Sequence, residues 1–260
     1  SLHDALPIYA WTRSRVVALF ADEPAAREAA SILALQDFFT DSRVVSVVNV
    51  PEQDWVRITQ SQFAPVPVTD DFFIVPTWCE PPTTAKQIIR LDPGLAFGTG
   101  THPTTFMCLK WIATQATAGL QLGKTLDYGC GSGILAIAAK KYGASFVDAV
   151  DIDPAAVTSS EANAHANLDA AIVKSHMVIG LPDAVSNQPN NYNTVLANIL
   201  ASPLKVLAPL LCGHVAKGGH LVLAGILERQ TEELKLAYAP YATLEVADTM
   251  DGWVLMTARL

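Results

Sequence analysis

Leu126-Asp127-Tyr128-Gly129-Cys130-Gly131-Ser132-Gly133 is the stretch that decides the fold, because a short apolar run ends here in alternate glycines and a helical pattern to Tyr142 follows at once. Glycines at such a junction permit a tight turn and let a ligand lie against bare backbone beside a helix N-terminus. Outward from it, strand and helix signals alternate. Strands are predicted at 124–127, 145–151, 173–178, 193–198 and 220–224, with helices at 133–142, 153–167, 203–211 and 228–238 between them. Alternation of this kind implies a parallel sheet covered by helices on both faces. Two closing strands, 243–247 and 253–259, lack a helix between them and share the turn signal Asp251-Gly252, so the last should run antiparallel at or near the sheet end. The predicted fold class is therefore α/β, a Rossmann-like seven-stranded sheet with a terminal antiparallel hairpin, the pattern of enzymes that use a nucleoside methyl donor.

The loop itself narrows the ligand. A G-x-G-x-x-G dinucleotide fingerprint would need a third glycine where Ile134 stands, which argues against a nicotinamide-dependent oxidoreductase. Asp127 precedes the glycines, and a carboxylate there attracts a cation and repels a pyrophosphate. That combination points to the amino-acid moiety of S-adenosyl-L-methionine, with Asp127, Gly129, Gly131 and Gly133 as candidate cofactor-binding residues. Val150-Asp151-Ile152-Asp153-Pro154 closes the next strand, 22 residues beyond Gly129. An acid at the end of the second strand is placed to accept hydrogen bonds from both hydroxyls of a ribose, and Asp151 is the candidate; Asp153 and Pro154 read as the N-cap and first residue of the following helix. The alternative for Asp151 is a solvated strand end.

Asn198 ends the apolar run Val195-Leu-Ala-Asn-Ile-Leu200 at the carboxyl edge of the sheet, where ligands of open α/β sheets bind. It is read either as a strand terminator or as a catalytic group that orients an incoming nucleophile. The run Leu91-Asp-Pro-Gly-Leu-Ala-Phe-Gly-Thr-Gly-Thr-His-Pro-Thr-Thr105 is dense in glycine and hydroxyls and leads into a helix predicted at 103–112, which suits a close-fitting loop over a ligand. His102 within it is a candidate base, with a structural hydrogen-bonding role as the alternative.

Length and composition set the frame. The 260 residues are 50% hydrophobic and 16% charged, enough for at least one full core and for one or two domains. The 25 acidic and 17 basic side chains leave a net charge of −8, and no run of Lys and Arg occurs, so direct nucleic-acid binding is not expected. Cys79, Cys108, Cys130 and Cys212 form no C-x-x-C pair, which disfavours a metal cluster or disulfide framework and suits a reducing, cytoplasmic setting. No apolar stretch approaches the ~20 residues of a membrane span. Ser1 to Ala10 has neither an initiator Met nor the pattern of a signal segment, and reads as a fragment or processed beginning. Upstream, a small α+β domain is predicted over residues 1–62: strands at 15–20 and 43–50, and a helix at 24–38 with Ala26, Ala29, Ala30, Leu33 and Ala34 on one stripe. Five of the 16 prolines fall within 63–85, so this stretch is predicted to be an extended linker with one short strand at Phe72–Val75, and the catalytic domain to occupy 86–260.

From Arg90 to Leu204 the chain closely resembles the ribosomal protein L11 methyltransferases. LDPGLAFGTGTHPTT, LDYGCGSGILAIAA, VDIDPAAV and ANILASPL occur in that family's order, and the first run is long and specific, whereas most class I methyltransferases share the glycine loop. The resemblance extends more loosely to Leu260. It implies cofactor contacts at Thr105, Gly129, Asp151 and Asn198, and a small, here shortened, N-terminal domain that recognises the substrate. The implied substrate is ribosomal protein L11, methylated on lysine side chains and on its N-terminal α-amine. A negatively charged enzyme suits such a basic partner, and modification before ribosome assembly is the corresponding expectation. Three alternatives stand beside this reading: a class I methyltransferase acting on another protein or a small molecule, a non-catalytic module that retains the fold, and a nicotinamide-dependent oxidoreductase, which Ile134 in place of the third glycine disfavours.

Overall fold

The structure is a computed structural model that describes residues 17–39, 42–48, 63–92, 102–185 and 189–260. The chain divides into two compact units, Ser1–Ile58 and Thr59–Leu260. In the first, helix α1 spans Glu23–Ala34, with Asp22 as N-cap accepting from Ala25 N at 2.8 Å and Pro24 in the first turn. The expected stripe is half-buried at Ala26, Ala29 and Ala30, whereas Leu33 and Ala34 are exposed, and the helix gives way to a 3-10 turn at Asp37–Phe39 rather than continuing to Phe38. The two strands predicted here do not form in the described residues. Residues 17–20 and 43–48 have no pairing partner among the described residues, and most of their β-branched side chains lie exposed, Val45 at 70% and Val48 at 73%, with Val47 half-buried; strand propensity without a neighbouring ladder or a surface to pack on does not make a strand. The remaining residues of both predictions lie outside the described ones.

The second unit carries two sheets. Val66–Pro67 (β1), Phe72–Val75 (β2) and Gln87–Arg90 (β3) form a three-stranded sheet, β1 antiparallel and β3 parallel to β2. The short strand expected within the proline-rich stretch is therefore present, but the stretch is not a free connector. All four residues of β2 are buried, and Phe72 and Ile74 join the main core with Ile89 of β3. An apolar tetrapeptide with burial on both faces outweighs the extended tendency of the flanking prolines.

Seven further strands are Lys124–Tyr128 (β4), Phe146–Val150 (β5), Met177–Gly180 (β6), Tyr192–Asn198 (β7), Val215–Leu227 (β8), Glu245–Met250 (β9) and Trp253–Arg259 (β10). Their order is β6-β5-β4-β7-β8-β10-β9, parallel from β6 to β8, with β10 antiparallel to both β8 and β9. The last strand is thus inserted one place in from the edge. The chain builds β4, β5 and β6 to one side and then returns to lay β7 on the other flank of β4, which opens a crevice outside the carboxyl ends of β4, β5 and β7.

Helices Pro103–Thr117 (α2), Ile134–Lys141 (α3), Pro154–Asn167 (α4), Ala170–His176 (α5), Ala201–Val206 (α6), Ala208–His214 (α7) and Thr231–Tyr238 (α8) complete this unit. Alternation along the strands divides the core. Leu196, Val222, Ala224 and Leu255 face the α2 and α3 side with Met107, Ile112 and Ile137, while Val195, Ala197, Leu221, Leu223, Val254 and Met256 face Leu204, Leu211, Leu234 and Tyr238. Two further departures from the sequence reading have local causes. Val173, expected in a strand, lies in α5 because Asp169 accepts from Ala171 N at 2.7 Å and caps a helix there, deferring β6 to Met177. The single helix expected over 203–211 is two, since Pro209 lacks an N–H and occupies the first turn of a new helix. Among the described residues no helix is long and apolar enough to cross a membrane.

Candidate functional site

Every candidate from the sequence that lies in the described residues converges on the carboxyl edge of the large sheet or its flank. Gly129, Gly131 and Gly133 all have positive φ, at 81°, 54° and 77°. Their backbone is held on several sides: Gly129 N and Cys130 N donate to Val150 O at 2.7 and 3.0 Å, and Gly133 N donates to Cys130 O at 2.8 Å. A side chain at Gly129 would collide with its surroundings unless Ile199 moved, because its Cβ would come 2.3 Å from Cγ2 of Ile199.

Asp127, in the fourth position of β4, is fully buried. Its Oδ2 accepts from Ala136 N at 3.0 Å, satisfying one of the donors that the first turn of α3 leaves open. Its Oδ1 is buried and has no hydrogen-bond partner among the described residues. Burial, with a smaller contribution from the nearby Asp151 charge, raises its pKa to about 7 although the bond from Ala136 opposes the shift. A buried, unpaired carboxylate oxygen beside the glycine loop fits the ammonium group of a methionine moiety, and the bare backbone at the glycines fits close approach of the rest.

Asp151 follows β5 and is half-buried. Oδ2 accepts from Gly131 N at 2.9 Å and Oδ1 from Asp153 N at 3.0 Å, so the same side chain ties the glycine loop to the start of α4. Each carboxylate oxygen has a further lone pair for a ribose hydroxyl. Asp153 caps α4 through Ala155 N at 2.9 Å, with Pro154 in its first turn, as the sequence predicted. Asn198 ends β7 half-buried, and its Nδ2 donates to Oγ1 of buried Thr105 at 3.2 Å. That contact, across 93 residues of sequence, brings the two positions together.

His102 is exposed and is the N-cap of α2: its Nδ1 lies 2.8 Å from Thr104 Oγ1 and accepts weakly from Thr104 N at 3.4 Å, while its ring meets Trp253 edge-on at 5.0 Å. The structural alternative for this histidine is the one these contacts support. Residues 93–101, the centre of the Gly/Thr run, lie outside the described residues. Sequence reading missed Ser160, Asn163 and Ile199, whose contacts with the loop come from elements distant in sequence. No group of His, Cys, Asp and Glu among the described residues could hold a metal ion.

A raised acid has a definite sign in its pH dependence. The folded protein holds the Asp127 proton up to about pH 7, whereas the unfolded chain releases it near the ordinary aspartate value of 3.8; this group therefore makes the ligand-free fold less stable as pH rises through that window. A cationic ligand group beside it gains in the same direction, because it prefers the ionised carboxylate. Affinity for S-adenosylhomocysteine, measured by titration calorimetry between pH 5.5 and 8, is expected to rise with pH about tenfold in the wild type and to be nearly flat in Asp127→Asn. Parallel profiles for the two proteins would exclude this pairing.

The switch-point glycine loop, the acid closing the second strand and the inserted antiparallel strand together define a class I S-adenosylmethionine-dependent methyltransferase. The family model for "Ribosomal protein L11 methyltransferase (PrmA)" matches residues 3–260, and the chain belongs to this family. It is 64% identical over 255 residues to the ribosomal protein L11 methyltransferase of Polaromonas sp. (strain JS666 / ATCC BAA-500), covering 97% of this chain and 82% of that one. It is 48% identical to the one from Bordetella bronchiseptica, covering 96% and 81%. Among solved structures, the crystal structure of ribosomal protein L11 methylase from Lactobacillus delbrueckii subsp. bulgaricus superposes with a TM-score of 0.62 at 31% identity, over 75% of this chain and 98% of that one. S-adenosylmethionine is accordingly the cofactor.

Proposed function

We propose that this chain methylates nitrogens of ribosomal protein L11, on lysine side chains and on the N-terminal α-amine, and does so in the cytoplasm before the substrate enters the ribosome. The observation that carries the reading is the convergence of Asp127, Gly129, Asp151 and the Asn198–Thr105 pair on one crevice, in a chain of this family. S-adenosylmethionine supplies a methyl group on a sulfonium, ready for in-line attack by a nucleophile. Asp127 receives the ammonium of the methionine moiety, Asp151 the ribose hydroxyls, and Gly129, Gly131 and Gly133 let the ligand lie on the backbone.

The remaining requirement is on the acceptor. A free lysine amine has a pKa near 10.4 and is mostly protonated at neutral pH, so the site must desolvate it and hold the neutral form by accepting a hydrogen bond from it. Asn198 meets that need: with Nδ2 committed to Thr105, its Oδ1 faces no partner among the described residues and is the atom available to an amine N–H. No strong base is required once the amine is neutral and aligned. Residues 1–62 present the different target nitrogens.

Purified L11 incubated with labelled donor, followed by mass spectrometry, is expected to place the label on lysines and on the N-terminal amine. An unlabelled L11, with label on another protein or on a small molecule, would redirect the assignment. Replacing Asn198 by alanine should lower kcat by about 100-fold; full activity with undiminished affinity for S-adenosylhomocysteine would remove Asn198 from this role. The charge of −8 favours the free basic protein over its RNA-bound form, and equal methylation of free L11 and of intact ribosomes would overturn the order of events.

A further inference from the structure

Helix α4 directs three polar side chains at the cofactor loop and the strand beside it. Ser160, fully buried, donates from Oγ to the Gly131 carbonyl at 3.0 Å and lies 3.3 Å from the Cys130 thiol. Asn163, nearly one turn on, donates from Nδ2 to the Ser132 carbonyl at 2.8 Å. Asn167, a further turn along, takes both backbone groups of Arg90 at the end of β3: its Oδ1 accepts from Arg90 N at 2.6 Å and its Nδ2 donates to Arg90 O at 2.8 Å. The spacing 160, 163, 167 keeps all three on one face of the helix.

Local preference does not explain this stripe. Serine and asparagine are weaker helix formers than the alanines that fill much of α4, and polar side chains on the inward face of a helix are uncommon unless each is satisfied. Here each is satisfied by backbone of another element. The fit is also tight: a Cβ on Gly133 would come 2.8 Å from Ser160 Oγ and 3.2 Å from the Ser160 Cα. Gly131 is thereby gripped at both ends, its N–H by Asp151 at 2.9 Å and its carbonyl by Ser160.

We propose that Ser160 and Asn163 are positioning residues for the cofactor, with Asn167 fixing the helix that carries them to β3. They hold the carbonyls of Gly131 and Ser132 turned into α4, so the peptide planes of the loop are set before the ligand arrives and no ordering cost is incurred on binding. Fixing a residue's backbone costs ~1–2 kcal/mol, and pre-organisation appears as affinity. The inference rests on the reading that this loop holds S-adenosylmethionine, and it goes beyond it by assigning the affinity partly to residues that never touch the ligand.

Titration calorimetry with S-adenosylhomocysteine on wild type, Ser160→Ala, Asn163→Ala and Asn163→Asp, alongside thermal unfolding and steady-state kinetics, tests it. Each alanine variant is expected to bind about fivefold to tenfold more weakly, with KM for the donor raised to match and kcat at saturating donor within about twofold of wild type. Asn163→Asp should be weaker still, since an acceptor replaces the donor facing a carbonyl. A merely structural stripe would lower the unfolding temperature and leave affinity unchanged, and that outcome, or binding by all three within about twofold of wild type, overturns the proposal. Should Asn163→Asp fail to fold, the two alanine variants decide. Wild-type protein that binds no S-adenosylhomocysteine would instead refute the cofactor reading, and this inference with it.

Discussion

Asp151→Ala is expected to weaken S-adenosylhomocysteine binding by at least about 100-fold, since two hydrogen bonds from ribose hydroxyls to a charged group are lost, each worth about 1.5–3 kcal/mol. A second loss compounds the first. In the protein without ligand the same carboxylate receives Gly131 N at 2.9 Å and Asp153 N at 3.0 Å, so the alanine also releases the middle of the glycine loop and the lead-in to α4. Asp151→Asn separates the two contributions. Its amide oxygen can still accept from one backbone N–H and one ribose hydroxyl, while the NH2 that replaces the other oxygen meets only donors and the negative charge is gone, so an intermediate loss of about tenfold is expected. Equilibrium dialysis or calorimetry provides the measurement. An affinity within about threefold of wild type in Asp151→Ala would mean that the ribose is held elsewhere.

What the sequence revealed of this site follows from where its information is local. Asp127, Gly129, Asp151 and Asn198 each lie within a residue of a strand's carboxyl end, and a polar or glycine residue at the end of an apolar run can be seen without knowing what lies opposite. The sheet was legible for the same reason, since strands buried on both faces, such as Val195–Ala197 and Leu221–Ala224, read as continuous apolar text. Ser160 and Asn163 were not legible. They are ordinary polar residues within a helix, and their partners are carbonyls 29 and 31 residues earlier, a relation no spacing rule encodes. Val173 differs in the opposite way: it stands at the start of the strand expected over 173–178, but one aspartate in front of it, Asp169, is enough to cap a helix. In the first unit, Val45 and Val48 had the right composition for a strand and nothing to pair with among the described residues.

Ile199 shows how much of the site depends on side chains that are absent. It follows Asn198 directly and fits between two glycines that are far apart in sequence: a Cβ on Gly129 would meet its Cγ2 at 2.3 Å, and a Cβ on Gly225 of β8 would meet its carbonyl oxygen at 2.1 Å and its carbonyl carbon at 2.7 Å. The two collisions differ in kind. A methyl at the end of an isoleucine can rotate away at modest cost, but a peptide carbonyl moves only with its chain. Gly225 also has φ of 85°, which an alanine adopts only under strain. Gly225→Ala is therefore expected to cost roughly 4 kcal/mol of stability in urea unfolding, the sum of an overpacked contact and the positive φ. It should also lower methyl transfer steeply, because the peptide it displaces belongs to the residue after Asn198. A second substitution distinguishes the two glycines. Ile199→Ala should remove the collision from Gly129→Ala, whose clash is with the side chain, leaving only the strain of its positive φ, and should do nothing for Gly225→Ala, whose clash is with the backbone. If Gly225→Ala lost less than about 1 kcal/mol, or if Ile199→Ala rescued it, the close approach of β8 to the end of β7 would not be what fixes Asn198 at the crevice.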